Sequence, residues 1–153
     1  MSGTLSLREA ALATVTARLL AQLPDVVVER ARRSAVDADA DTFPLLVITG
    51  EDLHADDSVE PGATHYRVGF SVSSGYARAS TDLGAEQALS HLHARVASAL
   101  VRWTPSDPGL TDPAEQDTTF LLFDAEDASQ PAGSFFTRFT LLAVGPTGGP
   151  WSL

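Results

Sequence analysis

Cysteine, lysine and asparagine are all absent from the 153-residue sequence. Without cysteine there is no disulfide framework, no thiolate nucleophile and no cysteine zinc site. Without lysine, no Walker-type loop can carry its usual phosphate ligand. The glycine-rich stretch 145–149 has no helix behind it, so it does not serve as a phosphate cradle either. Long apolar runs are missing too. Nothing approaches the ~20 consecutive apolar residues of a membrane span, and the first residues lack the basic-then-apolar pattern of a signal peptide. A soluble, cytoplasmic setting is expected. Positive charge is scarce, with 10 basic residues against 20 acidic ones and a net charge of −10. Such an excess argues against a surface built to grip phosphate, and suits one past which nucleic acid slides without sticking.

Hydrophobic residues at 44% and charged residues at 20% fit a globular chain. The length suits one domain, over residues 1–145, able to bury roughly 70% of its unfolded surface. Residues 146–153 read as a flexible tail carrying Trp151. The strongest periodic signal lies between Thr81 and Trp103, where Ala85, Ala88, Leu89, Leu92, Val96, Ala99, Leu100 and Trp103 form one apolar stripe at helical spacing. A second helix is expected from the capping-box pair Ser6 and Glu9 to Leu23, with Leu12, Val15, Leu19, Leu20 and Leu23 along one side. Strands are expected at Val26–Ala31, Phe43–Thr49, Thr64–Val72, Thr118–Phe123 and Phe135–Val144. Phe43–Thr49 is apolar enough to be buried on both faces, with Pro44 at its start. From Thr64 the pattern alternates, with Tyr66, Val68, Phe70 and Val72 on one side. The acidic run 51–63 and the proline-rich run 104–116 read as connections. The order α-β-β-β-α-β-β predicts an α+β domain, a mostly antiparallel sheet of about five strands packed by two helices. The helical crossover between the third and fourth strands leaves room for one parallel pairing.

Chemistry has few candidates. His91 and His93 lie about 200° apart around their helix and cannot share a metal ion. His54, beside Asp56 and Asp57, sits in an acidic stretch with no designed ligand set. Asp37, Asp39 and Asp41 alternate like the opening of a calcium loop, but Thr42 and Ile48 stand where that loop needs glycine and glutamate. The serines at 71, 73 and 74 lack a nucleophile-elbow motif. No catalytic, metal or cofactor site is expected. Arg30, Arg32 and Arg33 form the one basic cluster, read either as a solvated strand end or as a contact for an acidic neighbour, another copy included. Phe135 and Phe139 share a strand face and Phe136 takes the other, which makes Phe136 either a candidate protein contact or part of a strand buried on both faces.

Taken together, Val-x-Glu-Arg, Phe-Pro-Leu-Leu-Val-Ile, the alternating Tyr66–Val72 strand, the helix around Leu89–Leu100 and the closing Thr-Arg-Phe-Thr-Leu-Leu-Ala-Val-Gly strand resemble a known pattern. It is that of the tail terminator (tail completion) proteins of long-tailed bacteriophages and phage-derived gene transfer agents. The resemblance spans roughly Leu5 to Pro146. The 104–116 loop and the Pro-Trp tail have no counterpart, and Gly145-Pro146 stands where the family often has Gly-Asp-Pro. The resemblance implies a non-enzymatic virion protein, assembled in the bacterial cytoplasm. It would form a hexameric ring on the head-proximal end of the tail tube, stop tube polymerisation and join the neck or head-completion protein. DNA would pass through the bore without specific binding. Candidates for subunit or neighbour contacts are then Arg30, Arg32, Arg33, Phe136 and Trp151, and Asp37, Asp39, Asp41, Asp56 and Asp57 are loop candidates for acids lining the bore. The alternatives are another neck or head–tail connector ring, or a small soluble bacterial binding domain.

Overall fold

The computed structural model describes residues 5–32, 44–76, 79–105, 109–123 and 130–146. Ser6 caps helix α1 (Leu7–Gln22), its hydroxyl accepting the Glu9 N–H at 3.1 Å. Glu9's carboxylate turns to Arg30 on the adjacent strand, 3.3 Å away. Leu12, Val15, Leu19 and Leu23 bury the helix's inner side, but Leu20 is 50% exposed. Its position on the outer side of the helix, beside Leu19, takes it out of the stripe.

Five strands follow: β1 (Val27–Arg30), β2 (Leu45–Glu60), β3 (Ala63–Tyr76), β4 (Ala114–Leu122) and β5 (Gly133–Pro146). They form one sheet in the order β1-β2-β3-β5-β4. Three pairings are antiparallel, and the parallel one joins β1 to β2. The helical crossover from β3 to β4, which left room for a parallel pairing, does not make one. There β5 inserts between the two strands, so they never meet.

The largest departure is the acidic run 51–63. It is not a connection but the second half of β2, running to Glu60, followed by a tight turn into Ala63. Pro61-Gly62 makes that turn, and Gly62 supplies the positive φ of 79° that a type II turn needs after proline. Composition misleads here because β1, only four residues long, covers just the first four residues of β2, Leu45–Ile48. The rest of β2 has solvent on one edge and so tolerates acids. At the other end of the chain, β4 begins at Ala114, inside the run read as a loop, and β5 extends to Pro146.

Helix α2 (Asp82–Leu100) is capped by Thr81, whose hydroxyl accepts the Gly84 N–H at 2.9 Å. Its buried residues are Ala85, Leu89, Leu92, Val96, Ala99 and Leu100, six of the eight in the expected stripe; Ala88 and Trp103 are half-buried, and Trp103 lies beyond the helix's end. Both helices pack on one face of the sheet against Val68, Phe70, Val72, Phe135, Phe139 and Leu141. Phe70 and Phe139 stack across the β3–β5 pair with centroids 5.4 Å apart. Arg18 ties the helices together, donating from Nε to the Ala99 carbonyl at 2.9 Å while its guanidinium lies over Trp103.

Candidate interaction surface

The face of the sheet away from the helices is laid out in rows by strand register. Val27, Leu45, Gly75, Ser134 and Leu121 make one row; Glu29, Val47, Ser73, Phe136 and Thr119 make the next. Leu45 and Val47 are buried, as expected for a strand with apolar residues on both faces. Phe136 is 39% exposed, and the Arg138 guanidinium lies over its ring. This is the face Phe136 was expected to occupy, opposite Phe135 and Phe139.

Arg30 and Arg32 stand at the far edge of the same sheet, not beside Phe136. Arg30 donates to Glu9, and Arg32 pairs with Glu29 at 3.4 Å. Asp56 belongs to β2 rather than to a loop, directly across from His65 on β3. Its carboxylate accepts from the Ser58 N–H and hydroxyl at 2.9 and 2.6 Å. Those bonds hold its pKa below the ordinary value, with weaker help from His54 and His65. Asp57 also lies on β2 by its backbone, its side chain outside the described set. Arg33, Asp37, Asp39, Asp41 and Trp151 fall outside the described residues. A hollow of about 250 Å³ near the hairpin is lined by His54, Asp56, Val59, His65, Arg67 and Leu142. Among the described residues, no group of three or more histidines and acids is placed to hold a metal ion.

At the other edge, β4 exposes three consecutive apolar residues: Phe120 at 44%, Leu121 at 62% and Leu122 at 37%. The first half of that strand is fixed from below. A register shift between Glu115 and Thr118 turns both side chains toward α2, although residues three apart on a regular strand face opposite ways. Glu115 Oε1 meets His93 Nε2 at 2.5 Å, and the Thr118 hydroxyl donates to Glu115 at 2.9 Å. Thr137 Oγ1, fully buried on β5, lies 2.7 Å from Thr118 Oγ1. The rings of Phe120 and Phe135 stand edge-on to the His93 ring. Desolvation pushes the Glu115 pKa up, but the bonds from His93, Thr118 and Thr137 outweigh it and leave the pKa below its ordinary value.

No family model matches the sequence, and no curated protein matches it. The fold is similar to that of a chain in a solved structure described as the virion of a native gene transfer agent particle. The two superpose with a TM-score of 0.54 at 15% identity, over 88% of this chain and 94% of that one. At that identity the likeness is one of fold.

The His93–Glu115 pair is the feature that sequence reasoning missed. Spacing could not reveal it, because the partners are 22 positions apart and meet only through the irregularity in β4. The pair holds an edge strand in place and presents no nucleophile. The Thr118 and Thr137 hydroxyls are spent on each other and on Glu115. What the surface offers chemically is contact: an apolar strand edge, an aromatic face and an acidic hairpin.

Proposed function

We propose that the chain is a structural virion protein of the tail terminator type. In this reading it forms a hexameric ring on the head-proximal end of the tail tube. The ring stops tube growth and joins the tube to the neck or head-completion protein. The observation that supports this most is the fold likeness to a chain of a gene transfer agent virion, which covers nearly all of both chains. The net charge of −10 supports it independently, because a bore through which DNA passes must not grip phosphate. Asp56, an exposed acid whose pKa the bonds from Ser58 lower, lies on the β2–β3 hairpin and suits such a lining. A terminating ring also needs two unlike ends, one matching the last tube ring and one refusing a further ring. The acidic β2–β3 hairpin and the exposed Phe136 supply surfaces of different chemistry. Deleting the gene tests the reading: abnormally long tails are expected, whether or not heads are attached. Particles with normal tails after deletion would contradict it, and tails of normal length lacking heads would favour a connector ring instead.

A further inference from the structure

We propose that the sheet runs on from one protomer to the next, with β4 of one copy pairing antiparallel to β1 of its neighbour. This rests on the ring reading above and names the surfaces that close the ring. Both strands are sheet edges. On β4, the Phe123 N–H bonds inward to the Ala132 carbonyl, so by alternation the backbone groups of Phe120 and Leu122 face outward. No proline or lysine blunts Ala114–Leu122, and its last three residues expose apolar side chains beside those outward groups. On β1, the Val27 N–H bonds to the Pro44 carbonyl and the Ala31 N–H to that of Ile48, which turns the backbone of Val28 and Arg30 outward. Val27 is 40% exposed.

The strand directions fix the sense of pairing. β1 and β2 run one way, β3 the other, β5 back again and β4 opposite to β5. A second copy set beside the first in the same orientation therefore brings β1 antiparallel to β4. That arrangement lays Val27-Val28 near Leu121-Leu122. It also lays Arg30, at the end of β1, level with Thr118 and so near the exposed Asp117 of β4. Pairing β4 with β4 of another copy would be isologous. It would stop at a dimer and leave the basic edge unused.

Two variants that each block one edge test this, Val28→Pro and Leu122→Pro. Each removes one outward N–H without removing an inward ladder bond. Circular dichroism melts establish that both are folded, and native mass spectrometry reads assembly. The wild type is expected to form closed multimers at high concentration. Each variant alone should be a monomer, and a mixture of the two should give a one-to-one dimer through the single intact pair of edges, and nothing larger. A wild type that never rises above monomer overturns the proposal. Self-dimerisation of Val28→Pro overturns it in favour of β4–β4 pairing. Rings that persist in both variants also overturn it, while leaving the terminator reading to stand or fall on the deletion phenotype.

Discussion

Replacing Val96 with aspartate should unfold the protomer. Val96 is fully buried in the cluster that joins α2 to Phe70, Phe139 and Leu141. Losing its two methyl groups removes about 1.6 kcal/mol of transfer free energy at roughly 0.8 kcal/mol per group, and an unfilled cavity adds to that. The new carboxyl is worse than the lost methyls, because the neighbours of Val96 are apolar side chains. A buried polar group without a partner costs about 2–7 kcal/mol, and a charged one more. The sum approaches or exceeds the roughly 5–15 kcal/mol by which a domain is stable. The control is Ser98→Asp on the exposed side of the same helix, expected to stay within about 0.5 kcal/mol of wild type. Urea unfolding followed by far-ultraviolet circular dichroism compares the two. A folded Val96→Asp protein with a wild-type midpoint would refute the assignment of this face to the core.

Ser6→Ala removes the α1 cap and should cost about 1 kcal/mol, read as a lower urea midpoint at unchanged slope. Gly133→Ala should destabilise the protein by about 2 kcal/mol or more, since a Cβ there would lie 2.6 Å from both the Leu121 carbonyl oxygen and Leu89 Cδ1. A thermal melt of Gly133→Ala matching wild type would show that the β4–β5 hairpin has room to give. For Glu115 the folded pKa is depressed, so its share of stability is present above the unfolded value near 4.5 and is lost as pH falls through the folded value. Glu115→Gln should therefore flatten the fall of melting temperature with acidification below about pH 4.5, and an unchanged acid limb would count against the His93–Glu115 contact.

Much of this architecture could be read from the residues, and the reasons differ by element. Helix α2 and strand β3 were legible because each has one buried side, which writes its period into the sequence: Leu89, Leu92 and Val96 for one, Tyr66, Val68, Phe70 and Val72 for the other. The second half of β2 was not. Its residues from Leu53 to Val59 are exposed wherever their side chains are described, so burial leaves no alternation there; cross-strand bonds to β3 make it a strand. The sheet order was equally hidden, since β5 slots between β3 and β4 only in three dimensions. The contact residues fared unevenly. Phe136 follows from alternation against Phe135 and Phe139, whereas the exposed Phe120–Leu122 edge looks like any core strand until its place at the sheet's rim is known.

The proposed role in ending a tube can be tested directly. Tube protein should be polymerised with and without it, and the lengths and ends imaged by electron microscopy with the chain labelled. Shorter tubes are expected, their length falling as more of the chain is added, with label at one end only. Unchanged lengths, or label scattered along the tube walls, would contradict it.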